Sequence, residues 1–391
     1  MKMKSKAPAR HGALIAALLM GLTAAPLAGA QTPASSDGSI LTSLKHISVL
    51  GTTVPANGDV NPYGMAEVKT SVGKLTAGHI LVSNFNNSSN AQGTGTTIVD
   101  MAPNGAQTLF AGLDAAALPG PCPGGLGLTT ALVVLNEGWV IVGSLPTKNG
   151  SAATAKAGCL IVLDSMGNAV ETIYGSLVNG PWDMTALERG HEADLFVTNV
   201  LNGTVAAKGK VVQQGSVVRV VLELASNQLP AVQSLTVVAS GFSERTDPAA
   251  LILGPTGVAL SEAACGEFDW GCDEQVRLYV ADTLNNRITV ISHPLSRRSA
   301  DGTGATFSSG GSLNGPLGLI VAAGSGHLLT VNGVDGYITE INEFGVQIAK
   351  TLLDDTGGPP PGNGALFGLV FDPAHGVYFV DDASNTLNLL H

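Results

Sequence analysis

Charged side chains are scarce in this chain: only 13% of its 391 residues are Asp, Glu, Lys or Arg, and aromatic residues contribute 5%. Such a chain has too few charges to cover the outer faces of many helices. Basic residues are scarcest, with 19 Lys and Arg against 30 Asp and Glu. Because an acidic surface repels a phosphate backbone, we expect no nucleic-acid partner. The 50 glycines and the 45% of hydrophobic residues instead predict turn-rich β structure.

Long hydrophobic runs are also missing, since no segment approaches the roughly 20 apolar residues that a membrane helix needs. The apolar run at residues 13–20 follows four basic residues and precedes the small residues 27–30. This order is typical of a bacterial secretory signal peptide. We therefore expect a signal peptide over residues 1–30, cleavage near Ala30, a flexible segment over 31–43 and a periplasmic or extracellular protein starting near Gln31. An uncleaved N-terminal anchor is the alternative.

A two-part repeat occurs six times. The first part is a Pro-x-Gly element that precedes a strand, and it occurs at residues 61–65, 123–126, 180–184, 254–258, 315–319 and 366–369. Its last copy lacks the Pro, and Asp183 stands at the Gly position of the third copy. The second part is an apolar strand that ends in a polar residue, with another polar residue three positions later. These pairs are Asn84/Asn87, Ser144/Thr147, Asn199/Asn202, Asp282/Asn285, Asn332/Asp335 and Asp382/Asn385.

Six ordered copies predict an all-β protein in which residues 44–391 form a six-bladed β-propeller. Every copy continues into a third strand and several copies into a fourth, but the sixth has only three strands before His391. An unassigned strand remains at residues 46–50. Because open sheet edges are unfavourable, we expect this N-terminal strand to pair with residues 387–390 and to close the ring. Stacked β-sandwiches are the alternative architecture.

The fourth copy carries a family resemblance. Residues 277–288, RLYVADTLNNRI, with the upstream GPTG at 254–257, resemble an NHL repeat, and more loosely a repeat of the streptogramin-lyase-like and gluconolactonase-like propellers. The resemblance implies a six-bladed propeller with its site at the central channel. Gluconolactonase-like enzymes hold a divalent cation there with Glu, Asn and Asp side chains. Of the matching positions, only Asn61 and Asp183 offer side-chain oxygens, so no complete cation cage is visible, and no lyase motif matches.

Four cysteines in an exported protein indicate disulfides rather than a metal site. Cys265 and Cys272 flank one short predicted loop. Cys122 precedes the first strand of blade two and Cys159 begins its third strand, and these two parallel strands start at the same end of the sheet. We therefore favour the pairs 122–159 and 265–272 over the other two connectivities.

The candidate site is a set of residues at or near the Pro-x-Gly elements. First strands line a propeller's axis, so Tyr63, Trp182 and Phe367 should converge near one mouth of the channel, with Asn61 and Asp183 beside them. Such a set fits an apolar small-ligand pocket with few polar groups. The alternative is that the aromatic rings only plug the channel. Four histidines also recur at equivalent places in different blades: His79, His191, His327 and His375. They are either exposed turn residues or metal ligands.

These observations favour a monomeric protein without an evident cofactor that binds a small molecule or a protein partner at one propeller face. The sequence does not decide whether a divalent cation binds at the channel. The main alternative is a lyase- or lactonase-type enzyme at the channel mouth, and an envelope scaffold is a third reading.

Overall fold

The computed structural model describes residues 38–226, 228–261 and 271–391. The chain starts with a short helix, α1 (Ile40–Ser43), and strand β1 (Ile47–Thr52). Blade one follows with β2 (Val60–Glu67), β3 (Ile80–Asn86), β4 (Thr97–Met101) and β5 (Gln107–Gly112). Blade two has β6 (Leu128–Val134), β7 (Val140–Ser144), β8 (Cys159–Leu163) and β9 (Ala169–Ile173).

Blade three contains β10 (Pro181–Arg189), β11 (Glu192–Asn199), β12 (Val212–Glu223), β13 (Ala231–Asp247) and the extra strand β14 (Leu251–Leu253), with α2 (Thr204–Ala207) between β11 and β12. Blade four has β15 (Pro255–Leu260), β16 (Arg277–Asp282), β17 (Arg287–Ser292) and β18 (Ala305–Ser309), and α3 (Cys272–Gln275) precedes β16. Blade five has β19 (Pro316–Val321), β20 (Leu328–Asn332), β21 (Tyr337–Ile341) and β22 (Gln347–Leu352). Blade six has β23 (Leu366–Asp372), β24 (Gly376–Asp381) and β25 (Thr386–Leu390).

The predicted six-bladed β-propeller and its closure are confirmed. Strand β1 pairs antiparallel with β25 and completes the sheet β1-β25-β24-β23. The segment before β1 is also anchored, because the buried Glu340 carboxylate accepts hydrogen bonds from Ser39 Oγ and from the Ile40 and Leu41 N–H groups at 2.6–3.0 Å. Residues 39–43, which the sequence places in a flexible segment, are thus held on blade five in the structure. The predicted signal peptide lies outside the described residues.

Five of the six predicted elements contain a β-bulge at the start of the innermost strand of their blade. In blade one, Pro62 pairs with Asn84 and Met65 pairs with Val82, so two residues of β2 bulge where one residue of β3 stands opposite. A Cβ added at Gly257 would lie 2.1 Å from the Leu317 carbonyl oxygen of the next blade. Glycine is needed here because the innermost strands approach each other closely around the axis.

Two repeat assignments were wrong by a few residues. In blade two, Leu128 pairs with Ser144, so the bulge lies at residues 129–131, and the predicted copy at 123–126 belongs to the loop before β6. This bulge has one more residue than the others and contains no glycine, which hid it from the Pro-x-Gly pattern. In blade six, Leu366 pairs with Asp381, so Asp381 rather than Asp382 ends the second strand.

The disulfide between Cys122 and Cys159 is confirmed, with a Cα–Cα distance of 5.2 Å. It ties the loop before β6 to the start of β8, as the strand topology predicts. The other predicted pair includes Cys265, which lies outside the described residues. Across the described ranges, no helix is long and apolar enough to cross a membrane.

Candidate functional site

The three predicted aromatic residues converge at the end of the channel where the innermost strands begin, which we call the Pro-x-Gly mouth. The ring centroids of Tyr63 and Phe367 are 3.8 Å apart, and the Trp182 ring meets Tyr63 edge-on at 5.9 Å. Phe85, from the end of the second strand of blade one, stacks on Tyr63 at 4.8 Å. All four side chains are buried. The rings fill the axis at this level, so they form a plug rather than the walls of an open pocket.

A hairpin that the repeat does not predict seals the same mouth from outside. Strand β14 pairs with the end of the long strand β13 and places Leu251 and Ile252, both fully buried, against the aromatic cluster. Leu251 takes a left-handed backbone conformation with φ 61°, which is uncommon for a residue with a side chain. The only sequence signal of this hairpin is the extra length between blades three and four.

A cavity of about 470 Å³ occupies the channel below the plug. Tyr63, Trp182 and Phe367 form its closed end, and residues of the innermost strands of all six blades line its wall. At the other end the lining residues Lys69 and Asn136 are exposed, so the cavity opens where the innermost strands end. The wall combines apolar side chains such as Met65 and Leu132 with almost as much polar surface. The channel is therefore blind, and its opening lies opposite the mouth that the sequence predicted.

Asp183 is the one acidic residue in the bulge region of the cavity wall. Its carboxylate accepts a hydrogen bond from the Val258 N–H of the neighbouring blade at 3.0 Å. Burial raises the pKa of Asp183 to about 7, although hydrogen bonds from the Met184 and Val258 N–H groups lower it. The side chain keeps partial exposure toward the cavity, and no cationic residue contributes to its pKa. A polar group on a bound molecule would find an available carboxylate here.

Asn61 lies apart from this carboxylate. It adopts a left-handed conformation with φ 62°, its N–H donates to Asn385 Oδ1 at 2.7 Å, and it does not line the cavity. Asp382, which sequence reasoning did not single out as a site residue, stands near the plug. Burial and the neighbouring Asp381 raise the pKa of Asp382 to about 7, and burial with the nearby Asp382 raises the pKa of Tyr63 well above its usual value.

Three of the four recurrent histidines each pair with a carboxylate of their own blade. The Nδ1 atoms of His79, His327 and His375 lie 2.8, 2.7 and 2.5 Å from Asp100, Glu340 and Asp372. Within the described ranges, no group of three or more His, Cys, Asp or Glu residues is arranged to hold a metal ion. The structure therefore does not bring the histidines together, and the divalent cation has no located site.

Acidic residues dominate the open end of the cavity. Lys69 Nζ lies 3.8 Å from Glu67 Oε2, and the Lys69 side chain is 71% exposed. The opposite charges of these two side chains therefore nearly cancel. Glu188 accepts the Asn136 N–H at 3.0 and 3.1 Å, and burial raises its pKa. The charges that line the cavity thus leave an excess of carboxylates.

No protein-family model matches this sequence, and no curated protein matches it. Among solved structures, a gluconolactonase from Xanthomonas campestris is 15% identical, with 88% of each chain covered and a TM-score of 0.51. A calcium-binding protein, regucalcin, from Agrobacterium tumefaciens is 14% identical, with 88% of this chain and 95% of that chain covered and a TM-score of 0.51. A streptogramin B lyase is 13% identical over 88% of this chain and 96% of that chain, with a TM-score of 0.47. The chain shares the six-bladed propeller fold of the first two proteins.

Proposed function

We propose that this protein binds a small organic molecule in the blind central channel. The observation that carries the proposal is the cavity of about 470 Å³, closed by aromatic rings and containing the Asp183 carboxylate in its wall. A concave, mostly apolar cavity with a few polar groups is the usual form of a small-ligand site. The molecule would enter where the innermost strands end, since the plug and the β13–β14 hairpin seal the Pro-x-Gly mouth.

In this proposal the apolar wall supplies affinity and Asp183 supplies orientation. Burial of apolar surface contributes roughly 25 cal/mol per Å², so the apolar side chains of the wall would favour a ligand with an apolar body. A partly buried carboxylate without an ion-pair partner is costly, so a ligand that offers it a hydrogen bond or a charge relieves that cost. Asn61, which lies outside the cavity, has no part in this site.

The experiment is a ligand search with the full protein. Mass spectrometry of protein purified under native conditions would identify a molecule that co-purifies with it, and titration with that molecule should change the fluorescence of Trp182. The Trp182→Phe variant should bind but lose this change, because Trp139, the other described tryptophan, does not line the cavity. Binding at the outer face, with an unchanged Trp182 signal, would contradict the channel site.

A lyase- or lactonase-type enzyme is the second candidate, and the pKa of Asp183 near 7 favours it. A carboxyl group that titrates near neutral pH can both donate and accept a proton at a reacting atom. The solved structures that share the fold include one named as a gluconolactonase. Turnover of a lactone panel that disappears in Asp183→Asn, and persists in the exposed-site control Asp301→Asn, would favour the enzyme over the binding protein.

Export is part of the same proposal. The Cys122–Cys159 disulfide fits an oxidising compartment, since cytosolic thiols are kept reduced. Cell fractionation and N-terminal sequencing test it: a periplasmic or secreted protein starting near Gln31 is expected, whereas a cytosolic protein starting at Met1 would contradict it.

A further inference from the structure

We propose that the channel ligand is an organic monocation, that is, an apolar or aromatic body carrying one protonated amine that contacts Asp183. This inference rests on the proposed channel site and names the chemical class of its ligand. Three observations lead to it: the unpaired state of the Asp183 carboxylate, the charge balance of the cavity lining, and the aromatic closed end.

The Asp183 carboxylate has neutral partners only. Its hydrogen-bond donors are the backbone N–H groups of Val258 and Met184, and no cationic side chain of the described chain forms an ion pair with it. A buried carboxylate is stable as an anion when a cation compensates it. An ammonium group provides both the charge and the N–H donors, so the cavity favours a cation over a neutral alcohol of the same shape.

The charges along the cavity disfavour an anionic ligand. Glu67, Asp183 and Glu188 line the cavity against one cation, Lys69, which is exposed and close to Glu67. Carboxylates that line a low-dielectric cleft focus a negative potential along it, which attracts a cation and repels an anion. We therefore expect a sugar acid or a phosphorylated molecule to bind more weakly than a cation of similar shape.

The closed end fits the organic body of such a cation. The side chains of Tyr63, Trp182 and Phe367 form this end, and aromatic rings attract ammonium groups and pack against apolar bodies. Met65 and Met184 add polarizable side chains to the wall. A bare metal ion is a poorer match, because the described residues contain no cluster of three or more metal-ligating side chains.

The test compares two probes of nearly equal shape, 2-phenylethylamine and 2-phenylethanol, by calorimetric titration of the full protein at pH 8. The amine should bind at least tenfold more tightly than the alcohol. In Asp183→Asn the amine should weaken at least tenfold while the alcohol changes less than twofold. The control Asp301→Asn, at an exposed loop position, should bind both probes like the unchanged protein.

The outcomes separate this inference from the channel site itself. Equal binding of both probes, or amine binding that is unaffected in Asp183→Asn, would overturn the cation class and leave the channel site standing. Binding of neither probe at millimolar concentration would overturn both. If Asp183→Asn fails to fold, Asp183→Gly replaces it, because blades one, four, five and six carry Gly at the equivalent bulge position.

Discussion

Replacing Trp182 by Ala tests whether the aromatic plug holds the centre of the propeller together. The Trp182 side chain is 3% exposed and contacts Tyr63 and Phe85 edge-on, with centroid distances of 5.9 and 5.7 Å. Truncation of a buried Trp or Phe costs about 3–5 kcal/mol, and each aromatic pair contributes about 0.5–1.5 kcal/mol of such a loss. Because one side of Trp182 borders the existing cavity, we expect the lower end, about 3 kcal/mol.

The assay is urea unfolding followed by far-ultraviolet circular dichroism, which does not depend on the fluorescence of the replaced ring. Trp182→Phe is the matched control: it keeps an aromatic ring at the axis and should lose less than half as much unfolding free energy. A loss under about 1 kcal/mol for Trp182→Ala would show that the ring lines an accommodating pocket and is not part of the core, and would refute the plug.

Three further predictions concern stability. Glu244 is fully buried, and burial raises its pKa to about 8, although the nearby Asn202 backbone N–H lowers it. Between about pH 4.5 and pH 8 this carboxyl group is ionised in the unfolded chain and protonated in the folded protein, so the free energy of unfolding falls as the pH rises. Glu244→Gln should therefore be about 1–3 kcal/mol more stable than the unchanged protein at pH 8 and equally stable near pH 4. The same difference in urea unfolding at both pH values would contradict this. Deletion of residues 44–51 removes most of β1 and should lower the melting temperature and the cooperativity of calorimetric unfolding, whereas an unchanged transition would refute closure by β1. Replacing Cys122 and Cys159 by Ser should cost about 2–4 kcal/mol of unfolding free energy in urea. A variant as stable as the oxidised protein would contradict a structural role.

The repeat made the fold predictable because each blade uses the same physical device at its start. A bulge recurs at the start of every innermost strand. In four blades the close approach of neighbouring atoms requires glycine in the bulge, at Gly64, Gly257, Gly318 and Gly368. Blade two escaped the pattern since its bulge has one more residue and no glycine. The closing strand was predictable for a different reason: the sixth unit lacked one strand, and residues 46–50 were the remaining β segment.

The candidate site was predictable only in part. The convergence of Tyr63, Trp182 and Phe367 followed from their equivalent positions, but the sequence could not tell that the rings pack on each other. The seal by Leu251 and Ile252 comes from a hairpin outside the repeat, so no periodicity revealed it. The position of the cavity depends on the heights of side chains along the axis, and that is a property of packing rather than of pattern.

The central claim is that the blind channel holds a small ligand beside Asp183, and a crystal structure of the protein soaked with 2-phenylethylamine tests it most directly. We predict density in the channel, with the ammonium nitrogen at hydrogen-bond distance, about 3 Å, from the Asp183 carboxylate and the phenyl ring toward Trp182. Density for the amine only on the outer surface, with none in the channel, would contradict the account.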